Sequence, residues 1–277
     1  MRFDGHIHSP FCPHGSPDAL ADYAERAIQL GFNGITFTEH APLPAGFTDP
    51  VPAADSAMAY ADLPRYFQAI KDLKKEYQNH IQIFTGLEVD FIEGFEEETD
   101  HFLGEVKGEL DDAILSVHFL KHNNVYWCMD YSEDMFEEMT KSFGSTDHVY
   151  ASYYRTVKAS VSYPFRSLQP KRIGHITLAR KFKKLYPSAG SFKEEIYGIL
   201  DIIQERGLEL DYNGAGTVKP LCGEPYPSDW VVREAVKRKI PLVYGSDAHT
   251  SAGINQGYDQ LLFQEKLASP LFLNRTK

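Results

Sequence analysis

Long apolar runs are missing from this chain. No window approaches the roughly 18 consecutive apolar residues that a membrane-spanning helix requires, and the opening Met1-Arg2-Phe3-Asp4-Gly5-His6 lacks the apolar core of a secretion signal. Positive charge is also short: 28 Lys and Arg stand against 39 Asp and Glu, a formal net charge of -11 with histidines neutral. A broad basic surface for a nucleic-acid backbone or an anionic membrane is therefore not expected, and a small molecule is the expected partner. Cysteine is scarce. Cys12, Cys128 and Cys222 are odd in number and far apart, which suits neither a disulfide framework nor a Cys-x-x-Cys zinc site. They read as reduced thiols, and the chain reads as cytoplasmic. Internal repeats, low-complexity tracts and a glycine-rich phosphate loop after the first apolar run are absent too; the last absence argues against a doubly wound open sheet.

What is present alternates. Short apolar, β-branched runs near Phe3–His6, Gly34–Thr38, Gln82–Val89, Asp112–Val117, Arg172–His175, Leu208–Tyr212 and Pro241–Gly245 predict strands. Between them, Pro17–Leu30, Asp62–Gln78, Phe95–Leu110, Phe192–Arg206 and Ser228–Lys239 carry helical spacing, the first with Ser16 as its expected cap and Gly31 as its stop. With 277 residues, 43% of them hydrophobic, the chain can bury one large core. The pattern predicts an α/β fold, a seven-stranded TIM-like barrel forming a single domain over 1–277. A cap-like excursion at about 119–171 interrupts it; its aromatics, including Tyr126, Trp127, Tyr150, Tyr153, Tyr154, Tyr163 and Phe165, read mainly as packing for its own helices. A second interruption, Ala41 to Tyr60, is rich in proline and alanine.

The histidines explain the chemistry by their placement. His6 and His8 end the first predicted strand as His-Ile-His, and alternate residues of a strand project to one side, so both imidazoles can reach one ion. His14 follows in the same loop. His40, Glu88, His118 and His175 end the next four strands, and Asp247-Ala-His249 follows the last. Carboxyl ends of barrel strands converge on one face, so these side chains should meet. His80, His101, His122 and His148 lie in helices or excursions and read as ordinary polar residues. Imidazole with carboxylate suits zinc, iron or manganese better than magnesium or calcium. The set exceeds one tetrahedral shell but serves three divalent ions if Glu88 bridges two. The ions would outweigh the two carboxylates, and such a positive centre suits a phosphate dianion.

Asp4-Gly-His6-Ile-His8, Cys12-Pro-His14-Gly, Thr38-Glu-His40-Ala-Pro-Leu-Pro44, Gly86-Leu-Glu88, Ser116-Val-His118, Gly174-His175 and Gly245-Ser-Asp247-Ala-His249 resemble, in order, the motifs of the polymerase and histidinol phosphatase (PHP) family. The Cys-Pro-His-Gly and Thr-Glu-His-Ala-Pro-Leu-Pro stretches and the aromatic excursion most resemble its histidinol-phosphatase branch. The resemblance implies a distorted seven-stranded barrel, a trinuclear centre and hydrolysis of L-histidinol phosphate in histidine biosynthesis. It implies His6, His8, Glu88 and Asp247 around one ion, Glu88, His118 and His175 around a second, and His14, His40 and His249 around a third. Asp4 and Glu39 fall at positions that orient imidazoles, and Asn213 reads as a structural or supporting polar residue.

The expected chemistry is attack by a metal-bridged hydroxide without a covalent phosphoenzyme. Asp247 and His249 are the catalytic candidates at the metal face, Asp247 as one source of help for the departing alkoxide. Arg155 in the excursion is the expected phosphate clamp, with Arg166, Arg172 and Lys158 as competitors. Competing readings are a phosphoesterase of the same family acting on a nucleotide or another small ester, an amidohydrolase, which also uses His-x-His on a barrel, and a metal-binding protein without catalysis.

Overall fold

The computed structural model describes residues 1–273; the remainder of the expected 1–277 domain, 274–277, lies outside the described residues. Seven parallel strands form one sheet in the order β1 (Phe3–Ile7), β2 (Gly34–His40), β3 (Gln82–Asp90), β4 (Asp112–Ser116), β7 (Arg172–Ile173), β8 (Glu209–Asn213) and β9 (Leu242–Gly245). Each sits where an apolar run predicted it. Closure comes from the segment after β9: the Asp247 N–H donates to the His6 carbonyl at 2.7 Å and the His8 N–H to the Ala248 carbonyl at 3.0 Å. Asp4 helps, its carboxylate accepting the Ser246 N–H at 2.9 Å. The result is a nearly closed TIM-like barrel.

Parallel strands covered on both faces should be buried throughout. β2 shows this along its whole length, from Gly34 through Ile35, Phe37 and Glu39 to His40. Around the sheet pack α1 (Leu20–Gln29), α2 (Leu63–Glu76), α3 (Glu96–Val106), α6 (Lys193–Glu205) and α8 (Asp229–Lys237), with the short α7 (Ala215–Val218) after β8. α1 begins later than its expected start. Ser16 does not cap it, because its hydroxyl accepts the Asp18 N–H at 3.2 Å within the loop; the Ala19 N–H instead meets the Asp22 carboxylate of the first turn at 3.0 Å.

The excursion is ordered by local signals. A hairpin of β5 (Phe119–His122) and β6 (Val125–Cys128) is followed by α4 (Glu133–Phe143) and α5 (Thr146–Ser162). Ser132 and Ser145 each accept an N–H from the first turn of the following helix, both at 3.1 Å. Between the helices, Gly144 takes a positive φ of 90°, the left-handed conformation that glycine adopts without a Cβ penalty. Most of the excursion's aromatics are core: Tyr150, Tyr153 and Tyr154 are buried, and the Tyr153 hydroxyl donates to the His175 carbonyl at 3.0 Å.

Arg172 is removed from the list of phosphate clamps. It is fully buried, its guanidinium paired with Asp112, 4.0 Å from Glu209 and donating to the Gly5 carbonyl at 2.9 Å. Gly5 is required beside it, since a Cβ there would overlap the guanidinium. Burial opposes the Arg172 charge, but Asp112, Glu209 and Asp211 outweigh it and push its pKa up. Across the amino ends of the strands, the C-terminal segment bonds in turn to the Leu242 carbonyl, the Glu209 carboxylate and the Asp111 carbonyl. Replacing Arg172 with Met would strand Asp112 and Glu209 in the core without a counter-charge, so Arg172→Met should lower unfolding stability by about 3–5 kcal/mol in a denaturant titration.

Candidate metal centre and active site

At the carboxyl end of the barrel, the imidazoles of His6, His8, His14, His40, His118, His175 and His249 gather around Glu88 and Asp247. Five of these rings have one nitrogen committed to an oxygen acceptor. His6 Nδ1 donates to Asp211 at 2.9 Å, His8 Nδ1 to Glu39 at 3.2 Å, and His118 Nδ1 to Asp90 at 2.8 Å. His14 and His249 use the backbone carbonyls of Asp55, at 2.8 Å, and Asp247, at 3.1 Å. Because an ionised carboxylate or a carbonyl only accepts, these bonds assign a proton to Nδ1 and leave the Nε2 lone pair for a second proton or a metal ion: despite burial, the facing carboxylates push His6 up, His8 up to about 9 and His118 up to about 10, so in the metal-free chain a proton holds the place a metal ion would take.

Those lone pairs converge. His6 Nε2 lies 3.3 Å from Glu88 Oε2 and His8 Nε2 lies 3.1 Å from Asp247 Oδ1. His40 turns Nδ1 to within 3.2 Å of Glu88 Oε2, while His175 Nε2 is 2.9 Å from Glu88 Oε1 and 3.2 Å from His118 Nε2. The two Glu88 oxygens therefore face different halves of the cluster, with Ser116 donating its hydroxyl to Oε1 at 2.6 Å. His6 Nε2, His8 Nε2 and His40 Nδ1 are buried without a protein hydrogen-bond partner, a costly arrangement unless a cation completes it.

Charge is arranged to the same end. Burial opposes ionisation of Glu88, but His6 and His118 outweigh it and hold the carboxyl well below its usual range. Asp247 is likewise held low despite burial, first by His6 and then by His8. Burial, then His8, pushes His249 down to about 3, and the same causes lower His40, leaving both neutral as metal ligation demands. Groups of donor atoms lying within 4.8 Å of one another are His6, His8 and Asp247; Glu88, His118 and His175; and His8, Cys12, His40 and His249. The first two follow the expected sets, although Glu88 is absent from the first group. The third gathers Cys12 and His8 with His40 and His249, and the exposed His14 sets its ring 5.2 Å from that of His40 and 5.1 Å from that of His249, the spacing at which His6 stands from His8.

The supporting residues also differ from expectation. Glu39 does orient His8, and its second oxygen accepts the Ser9 N–H at 2.9 Å. Asp4 bonds to the backbone amides of His6 and Ser246. The acceptor for the His6 ring is Asp211, which β8 brings across the barrel, and the acceptor for His118 is Asp90. Neither was anticipated, though Asp90 follows the predicted strand Gln82–Val89 two residues after Glu88, and Asp211 lies in the predicted strand Leu208–Tyr212 two residues before Asn213. Asn213 links Asp211 and Asp247, donating to each at 3.1 Å.

Above the cluster opens a cavity of about 470 Å³ whose wall includes Asp55, Asp130, Lys181, Lys219 and Tyr226. Arg155 is not brought there. It is exposed on α5 and donates to the Ser152 hydroxyl at 3.0 Å; Lys158 and Arg166 are exposed elsewhere. Lys181 and Lys219 are the cations of the cavity wall, and neither lies in the excursion where the phosphate clamp was expected. Lys181 follows β7 in a turn with Arg180 and Lys183, just after His175, and its Nζ is 3.0 Å from Asp130 Oδ2. A basic run directly behind a strand-end histidine was the available signal.

The fold and site define a TIM-like barrel protein with a candidate metal site of histidines and carboxylates. A family model described as the PHP domain matches residues 4–215. The histidinol-phosphatase of Bacillus subtilis is 51% identical over 266 residues, covering 95% of this chain and 98% of its own. A solved Listeria monocytogenes structure, provisionally named a histidinol phosphatase, superposes with a TM-score of 0.91 at 35% identity over 94% of this chain and 100% of that one. A Lactococcus lactis histidinol phosphate phosphatase, solved with zinc, L-histidinol and phosphate, shares the fold at a TM-score of 0.68 and 22% identity, over 90% and 87% of the two chains. The chain belongs to the PHP-domain family, in its histidinol-phosphatase branch.

Asp211→Asn and Asp90→Asn should each weaken zinc binding by about 10- to 100-fold, because a carboxamide no longer secures the imidazole tautomer and orientation. Isothermal titration of zinc into chelator-stripped protein measures this, with circular dichroism to confirm the fold; wild-type affinity in both variants would remove these carboxylates from the metal centre.

Proposed function

We propose that this chain hydrolyses L-histidinol phosphate to L-histidinol and inorganic phosphate in histidine biosynthesis, as a metal-dependent phosphoric monoester hydrolase. The observation that carries this reading is the set of buried imidazole nitrogens, unpartnered within the protein, around Glu88 and Asp247 at the base of a small-molecule cavity. The extended similarity to the Bacillus enzyme supports the substrate. The three buried, unbridged thiols fit a cytoplasmic enzyme, and among the described residues no helix is long and apolar enough to cross a membrane.

Three divalent ions are proposed, zinc fitting the imidazole-rich donors. His6, His8, Glu88 and Asp247 would hold one, Glu88, His118 and His175 a second, and His14, His40 and His249 a third. Bound ions lower the pKa of water and neutralise phosphoryl oxygens. The chain supplies the rest. Asp211, Glu39 and Asp90 keep the imidazoles oriented, Asn213 restrains Asp247, and Lys181 presents a positive charge to the phosphate from the cavity wall. Asp247, or an ordered water, assists the departing oxygen, and His249 lies beside Asp247 at the metal face. Asp55 and Asp130 offer carboxylates to the substrate ammonium, and Tyr226 an aromatic face to its imidazole.

The test is phosphate release from histidinol phosphate beside a panel of nucleotides and sugar phosphates. Activity should favour histidinol phosphate, disappear on chelation and return with zinc, manganese or iron. In oxygen-18 water the label should enter inorganic phosphate within one turnover; label in histidinol, or preference for another ester, would overturn the reading. Lys181→Ala should keep its metal content and lose roughly 10- to 100-fold in kcat/KM, the loss expected for a charge-assisted phosphate contact. Unchanged kinetics would take Lys181 out of the substrate site.

A further inference from the structure

We propose that Glu224 is a positioning residue for Lys181, tying down the cations on either side of it so that, of its cluster, Lys181 is the one presented to the phosphate. The inference rests on the phosphatase reading above and adds to it the group that fixes the phosphate contact. Arg180-Lys181-Phe182-Lys183-Lys184 puts four cations within five residues. Left to themselves they would repel one another and compete for the same anions. The structure gives each its own place. Arg180 donates from Nε to one Glu224 oxygen and from Nη2 to the other at 3.4 Å, Lys183 Nζ pairs with that second oxygen, and Lys184 Nζ donates to the Pro220 carbonyl at 2.6 Å. Lys181 Nζ donates to the Asp130 carbonyl at 2.5 Å and to its carboxylate at 3.0 Å. An ammonium has three donors, so one N–H of Lys181 is left for a ligand, and of the four cations only Lys181 lines the cavity.

The turn explains how one carboxylate can do this. Leu178–Phe182 is a short 3₁₀ helix, closed by the Lys183 N–H on the Arg180 carbonyl at 3.1 Å. Leu178, Ala179 and Phe182 are buried beneath it, which leaves the charged side chains at its surface. Because Arg180 and Lys183 both end on Glu224, the turn cannot rotate Lys181 out of the cavity without breaking two charge-assisted contacts. Glu224 itself has a fixed base. The Gly223 N–H meets the Gly216 and Lys219 carbonyls at 3.0 and 3.1 Å, and a Cβ on Gly216 would overlap the Glu224 carbonyl. The Lys184 N–H adds a bond to the Leu221 carbonyl at 3.1 Å, joining the turn after β7 and the loop after α7 into one wall. Burial opposes ionisation of Glu224, but the hydrogen bonds from Arg180 and Lys183 outweigh it and lower its pKa.

Loss of that charge has a specific consequence. Arg180 and Lys183, once released, become rivals for Asp130 and for the phosphate, and Lys181 loses its fixed direction. A Glu224 that only stabilised the fold would instead affect activity equally with and without Lys181.

The experiment is a double-mutant cycle of Glu224→Gln and Lys181→Ala in the metal-loaded protein, with L-histidinol phosphate as substrate and inorganic phosphate as inhibitor. Glu224→Gln alone should keep its metal content and lose roughly 10-fold in kcat/KM, less than the ~10² that a misplacement of about 1 Å costs, and phosphate should inhibit it more weakly by a similar factor. Added to Lys181→Ala, the same substitution should change kcat/KM by less than about 2-fold, because residues that act as one unit are not additive. If Glu224→Gln does not fold by circular dichroism, Arg180→Gln with Lys183→Gln takes its place in the cycle, releasing the same turn. Wild-type kinetics in the anchor variant, an equal loss with and without Lys181, or an unimpaired Lys181→Ala would overturn the positioning role and leave the phosphatase reading standing. Wild-type protein that releases no phosphate from histidinol phosphate would overturn both.

Discussion

Glu88 is the constraint on which the site depends. A single buried carboxylate faces His6, His8 and His40 through one oxygen and His118 and His175 through the other. Imidazole lone pairs directed at one carboxylate and at one another form a low-energy arrangement only when positive charge lies among them. The protein therefore has to build a rigid frame for groups whose attraction is incomplete without that charge.

The barrel is that frame. Parallel register places Glu88 beside Ile114 of β4 and His40 of β2 beside Glu88. Closure through Asp247 and Ala248 brings the last motif against the first. At the other end of the same interior, Arg172 with Asp112 and Glu209 fills the barrel with a buried ion cluster, and the C-terminal segment covers it. One end is thus closed by the protein's own Arg172–Asp112 pair, with burial pushing Glu209 up to about 8 beside it. The other is arranged to be completed by ions and a phosphate.

The excursion contributes by packing as much as by contact with a ligand. Tyr153 fixes the carbonyl of His175, and Asp130, just after β6, pairs with Lys181 from the turn after β7. The cavity wall is thereby built from pairs whose members come from different loops, which is common where a rigid scaffold carries variable connections. Arg155 shows the reverse case: it lies in the expected segment, but the helical phase of α5 gives its buried positions to Tyr153, Tyr154, Thr156 and Val157 and turns Arg155 to solvent.

The sequence by itself determined the seven strands, their enclosing helices and the histidine and carboxylate positions at the strand ends, because apolar β-branched runs and helical spacing are local properties. His-Ile-His, Leu-Glu and Asp-Ala-His were legible for the same reason, and family resemblance placed them in order. Tertiary structure alone decided that Asp211 serves His6, that Asp90 serves His118, that Arg172 points into the barrel and that Lys181 reaches the cavity. These are consequences of barrel closure and of the direction each loop takes on leaving its strand. Residues such as His6 and Asp211, 205 positions apart, carry no mark of their pairing until the sheet curves round to join them.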